Sequence, residues 1–158
     1  MQRFIIAGFA LALAACGPAA ENTGGEAQTA QSQTGDVACD PQANALTLGA
    51  TASGEITATT QPYPANARYY CVNVPAGTGS VAIELSGLSA DLDLYVGYGD
   101  IASVQGVDLT QGETYDWQSN DFGTVDERVT INNPQPGVYY IEVVSYEGQP
   151  SAFQIAAR

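Results

Sequence analysis

Strict alternation along Asp91-Leu92-Asp93-Leu94-Tyr95-Val96 assigns Leu92, Leu94 and Val96 to one face of a strand and Asp91, Asp93 and Tyr95 to the other. The same two-residue period recurs after residue 45 in short runs. They are broken by Pro75-Ala76-Gly77, Gly87, 134–137 and Gly148-Gln149-Pro150, residues that favour turns. Helical periodicity is almost absent. The pattern predicts strands over 45–48, 54–59, 67–74, 80–86, 91–98, 114–118, 128–132, 137–146 and 151–157, and therefore an all-β, antiparallel sandwich of eight or nine strands. Its inward set is Val72, Val74, Val81, Ile83, Leu85, Leu92, Leu94, Val96, Val129, Ile131, Tyr139, Ile141, Val143, Phe153 and Ile155. Tyr69, Tyr95, Tyr140 and Tyr146 have the outward parity. Between 99 and 112 the alternation weakens, which marks a functional loop or an irregular strand. Trp117, in a polar segment, either packs in the core, the favoured reading, or stands on the surface.

The N-terminal pattern is different. Met1-Gln2-Arg3 and the apolar run 4–15 have the form of a secretory signal, and about twelve apolar residues are too few to span a bilayer. The run closes on Leu13-Ala14-Ala15-Cys16, which resembles a bacterial lipobox. The resemblance implies cleavage after residue 15 and lipidation of Cys16. More than one acyl chain on that residue gives stable anchoring. Gly17 rather than Asp after the Cys implies sorting to the outer membrane. Residues 17–38 offer only Val37 as a large apolar side chain, too little to fold. They predict a tether with a reach of roughly 25–30 Å. The expected organisation is a signal peptide over 1–15, a lipidated linker over 16–38 and one folded domain over 39–158.

Seventeen acidic residues against four basic ones give a formal charge of −13, one unit more negative once Arg3 leaves with the leader. Such a surface excludes nucleic acid as a partner and repels anionic headgroups. The chain has no His and no Lys, so Ser-His-Asp, Cys-His and Ser-Lys hydrolytic arrangements are excluded. Asp91 and Asp93, two positions apart on one strand face, lie at about 6.5–7 Å, which overlaps the spacing of an inverting glycosidase pair. That chemistry also needs a cleft and a raised pKa, and the sequence implies neither. With Cys16 assigned to lipid, Cys39 and Cys71 form an even pair in an exported chain and predict a disulfide. It would close a loop of about 33 residues, and the chain-entropy account gives about 3.5–4 kcal/mol for it.

The acids admit two readings. Asp91, Asp93, Asp121, Asp126 and Glu127 could supply oxygens to calcium; alternatively they cap turns and face solvent. The outward tyrosines, Tyr69, Tyr95, Tyr140 and Tyr146, could stack on a sugar or an extended polypeptide, or serve only as good strand formers.

Three ordered segments carry a resemblance: Tyr69-Tyr70-Cys71-Val72-Asn73-Val74-Pro75-Ala76-Gly77-Thr78, then Asp91-Leu92-Asp93-Leu94-Tyr95-Val96-Gly97-Tyr98-Gly99, then Val129-Thr130-Ile131-Asn132-Asn133-Pro134-Gln135-Pro136-Gly137-Val138-Tyr139-Tyr140-Ile141. Together they resemble the bacterial pre-peptidase C-terminal domain over about 46–157. The resemblance implies a jelly-roll β-sandwich of the kind usually appended to secreted peptidases, often removed on maturation, and credited in some relatives with binding insoluble polymers such as collagen or polysaccharide. The motif does not require a Cys at position 71. No peptidase precedes the domain in this sequence, and two expectations follow. One is a non-catalytic, envelope-anchored module that binds an extracellular or periplasmic polymer on its tyrosine face. The other is a calcium-stabilised accessory domain for a separate secreted peptidase or envelope protein, with an interface apolar at its centre and ringed by acids.

Overall fold

The computed structural model describes residues 38–61, 63–105 and 114–158; the leader, Cys16 and the linker up to residue 37 lie outside them. Among the described residues nine strands form two sheets. They are β1 (Asn44–Leu46), β2 (Thr51–Ile56), β3 (Arg68–Val74), β4 (Ser80–Ser86), β5 (Leu92–Tyr98), β6 (Trp117–Ser119), β7 (Glu127–Asn132), β8 (Gly137–Ser145) and β9 (Ser151–Ala157). One sheet has the order β1-β3-β8-β5-β6 and the other β2-β9-β4-β7. Only β1 pairs in parallel, with β3. Leaving β1 aside, each sheet interleaves early and late strands of the chain, the jelly-roll arrangement.

The alternation places the core as expected. All fifteen inward positions are buried between the sheets, and Trp117 packs half-buried against them. The Cys39–Cys71 disulfide is formed, with Cα atoms 6.1 Å apart. It ties the chain before β1 to the outer face of β3.

That outer face departs from expectation. The five-stranded sheet is not wet on its second side, because two covers lie on it. The first consists of Cys39, Ala43 and a 3-10 turn over Ile101–Ser103, and it buries Cys71, Val138 and Tyr140. The second consists of Tyr63, Ala67 and Tyr115, and it buries Tyr95 and Val144. The weakly patterned segment after Gly99 thus begins as a cover, fitted so closely that a Cβ on Gly97 would collide with Ser103. Residues 106–113 lie outside the described part.

Candidate binding site

The expected face of outward tyrosines does not exist as a surface. Tyr95 is 0% exposed and Tyr140 is buried with its hydroxyl accepting the Asp40 N–H at 3.0 Å. Tyr69 is half-buried and donates its hydroxyl toward Glu142 Oε1 at 3.4 Å. Of the four only Tyr146 is exposed, at 49%. Parity assigns a side chain to a face; it does not say whether other chain segments close over that face.

Tyr146 belongs to a different surface, at the end of the sandwich where β5 begins and β8 ends. Phe122 in the β6–β7 connection is 84% exposed, and Val125 in the same connection is 52% exposed. The Phe122 ring meets Tyr146 edge to face, centroids 6.4 Å apart at 87°. On its other side Tyr146 meets Tyr63, 6.5 Å away at 61°. Three connections therefore present one aromatic ridge: β2–β3 gives Tyr63, β6–β7 gives Phe122 and β8–β9 gives Tyr146. The alternation could not find Phe122, but the sequence held a signal. A large apolar ring between Asp121 and Gly123, in a segment without strand period, has no core position to occupy.

Three of the acids offered as calcium ligands, Asp91, Asp126 and Glu127, brace this ridge. Asp91 Oδ1 accepts the Gly123 N–H at 3.1 Å, and the Asp91 carbonyl accepts the Tyr146 N–H at 3.2 Å. One residue thus fixes both aromatic connections. Glu127 Oε1 accepts the Asp121 N–H at 3.0 Å, and its Oε2 accepts the Ser119 hydroxyl. Asp126 Oδ1 accepts the Gly87 N–H at 3.3 Å. Asp93 turns away under the second cover, where the Tyr95 hydroxyl donates to its Oδ2 at 3.3 Å. The five candidates therefore do not converge, and among the described residues no three acidic, His or Cys side chains are grouped to hold a metal. With Asp93 buried, it and Asp91 do not flank an open cleft either.

Beneath the second cover lies a group of ionisable side chains, Asp93 and Tyr95 together with Tyr63 and Glu142, the last two carrying no expectation from the sequence. Glu142 on β8 pairs across to Tyr69 on β3 and to Tyr95 on β5. It is fully buried, and its Oε2 has no partner. Burial, with the nearby Asp93 charge adding and the Tyr69 hydroxyl opposing, pushes its carboxyl up to about 8. Asp93 is pushed up to about 6, first by burial and then by Asp91. Burial also raises the Tyr63 and Tyr95 hydroxyls, and it raises Glu127. The signal for Glu142 was a lone acid inside the apolar run Val138-Tyr139-Tyr140-Ile141-Glu142-Val143-Val144.

A cleft of about 430 Å³ opens at the opposite end, lined by Tyr98, Trp117, Tyr139, Asp116, Pro134 and Gln135 among others. Its rings form a chain, with Trp117 5.8 Å and Tyr98 5.1 Å from Tyr139 between centroids.

The sequence profile described as the bacterial pre-peptidase C-terminal domain matches residues 66–145. Among solved structures, the pre-peptidase C-terminal domain of collagenase from Bacillus anthracis superposes with a TM-score of 0.52 at 18% identity, over 77% of this chain and 99% of that one. PliG from Aeromonas hydrophila, a periplasmic inhibitor of g-type lysozyme, gives a TM-score of 0.45 at 15% identity, over 74% of this chain and 96% of its own. No curated protein matches the sequence. A profile match over half of the chain, on a nine-stranded jelly roll, places this chain in the bacterial pre-peptidase C-terminal domain family.

Proposed function

We propose that the chain is a non-catalytic binding module, held to the cell envelope by lipid on Cys16, which grips an extended extracellular or periplasmic polypeptide on the Tyr63–Tyr146–Phe122 ridge. The observation that carries this reading is Phe122. A phenyl ring left 84% in water, on a connection fixed by three carboxylate-to-N–H bonds, is held out rather than loose. Exposed apolar groups framed by polar ones mark interaction sites. A polypeptide fits better than a polysaccharide, because the rings stand at 87° and 61° to one another and offer no flat platform for stacked sugars. Asp121, Asp126 and Glu147 are exposed on the same two connections. The surface is apolar at its centre with acids around it, and it favours partners with basic residues near an apolar side chain.

Cosedimentation with insoluble polypeptide fibrils and, in parallel, with insoluble polysaccharide tests the reading. The wild type is expected to sediment with polypeptide, and a Phe122→Ser, Tyr146→Ser variant to remain in the supernatant with its melting temperature unchanged. Equal sedimentation of the variant, or retention on polysaccharide alone, overturns it.

A further inference from the structure

The cleft at the far end of the sandwich has a different chemistry from the ridge. Asp91 precedes the first residue of β5 and Tyr98 is its last, so the two sites lie roughly 20 Å apart along the strand. Two half-buried rings, Tyr98 and Trp117, line the cleft over the buried ring of Tyr139, together with the carboxylate of Asp116. The charge of Asp116 reaches the Tyr139 hydroxyl. The walls are held by hydrogen bonds. Asp116 Oδ2 accepts the Tyr98 N–H at 2.8 Å, the Tyr98 hydroxyl donates to the Pro136 carbonyl at 2.9 Å, and the Tyr139 hydroxyl donates to the Gln135 carbonyl at 3.1 Å.

We propose that this cleft is a second binding site, for a primary alkylammonium group of the kind a lysine side chain carries. Ring faces attract a cation within about 6 Å of their centroids, and the carboxylate among the rings supplies a full opposite charge. The described residues have nothing of their own to fill the role. The chain contains no Lys, and of the arginines in the described part, Arg128 and Arg158 both engage Glu84 on the other sheet while Arg68 donates to the Ala67 carbonyl. A formal charge of −13 draws cations toward every face, and here rings turn that diffuse attraction into a shaped receptor. The cleft falls within the usual size of small-ligand sites, with room for the alkyl stem as well as the head.

Trp117 is the sole tryptophan and reports on the cleft directly. The full chain is titrated with Nα-acetyl-lysine N-methylamide, and in parallel with the neutral Nα-acetyl-norleucine N-methylamide, at constant ionic strength. The expected result is a saturable change in tryptophan emission with the lysine compound and none with its neutral counterpart. Asp116→Asn, which keeps an oxygen for the Tyr98 N–H, is expected to weaken the lysine titration about five- to tenfold. Absence of a saturable change in the wild type, or an equal response to the neutral compound, overturns the proposal whether or not the variant folds. Undiminished affinity in a folded Asp116→Asn overturns it as well. The result is independent of the polypeptide assay, since that assay reads Phe122 and Tyr146 at the other end.

Discussion

Glu142 occupies a position where an apolar side chain would bury without penalty. It stands mid-strand between Tyr69 and Tyr95, fully enclosed, with one carboxyl oxygen unpartnered. An ionised carboxylate there faces Asp93, Tyr63, Tyr69 and Tyr95, with Asp91 and Glu127 acting on Asp93 behind. Both groups therefore hold their protons to higher pH in the folded domain than in the unfolded chain, where they release them near pH 4. Their stabilising contribution is full below about pH 4 and is lost as pH rises through about 6 for Asp93 and about 8 for Glu142. Melting temperature should accordingly fall between pH 5.5 and 8.5. Glu142→Gln, neutral at every pH, should flatten that fall and melt higher than the wild type above pH 8, by an amount on the order of a few kcal/mol. A slope identical in the two proteins would show that the group is not protonated when buried.

At the scale of elements, β5 organises the domain because both of its faces are buried, one by the opposite sheet and one by the two covers. The close approach of the 3-10 turn over Ile101–Ser103 to Gly97 admits no side chain. Gly97→Val should push the turn off the sheet at a cost of about 1–3 kcal/mol, and it should speed amide exchange around Tyr140 while leaving β4, β7 and β9 protected. Unchanged exchange on β8 would contradict this. The strands and the inner core were legible in the sequence because a two-residue period is a local property: Leu92, Leu94 and Val96 announce their face without knowledge of anything distant. The covers were not legible, because they depend on where residues 39–43, 63–67 and 101–104 arrive after the sheet has formed. Tyr95 and Tyr140 were consequently read as wet, and Asp93 as a solvated or metal-binding acid. Asp91, Asp126 and Glu127 share a neighbourhood, as their sequence positions suggested, and each accepts one backbone N–H, from Gly123, Gly87 and Asp121 respectively, which is the turn-capping reading of these acids.

At the scale of the whole molecule, charge and anchoring are connected. A chain of formal charge −13 is repelled by anionic headgroups, so residence at a membrane needs an attachment other than electrostatic adsorption. Cys16, which lies outside the described residues, is the residue that the lipobox-like Leu13-Ala14-Ala15-Cys16 offers for it. The composition of 17–38 would then hold the domain roughly 25–30 Å clear of the surface, at a distance where both ends of the sandwich can meet a partner. Membranes from cells expressing the wild type should retain the protein through a wash in 1 M salt, which removes electrostatically adsorbed proteins by shortening the screening length to about 3 Å. They should release it only to detergent. Cys16→Ser should shift the protein to the soluble fraction without altering its melting temperature, because none of the strands or covers described above involves that residue. Two outcomes count against the anchor: a Cys16→Ser protein that still resists the salt wash, and a wild-type N-terminal peptide that carries no acyl mass. Either would mean that a domain this acidic is kept at the envelope by a protein partner instead, and the Phe122 ridge would then be the first surface to test for it.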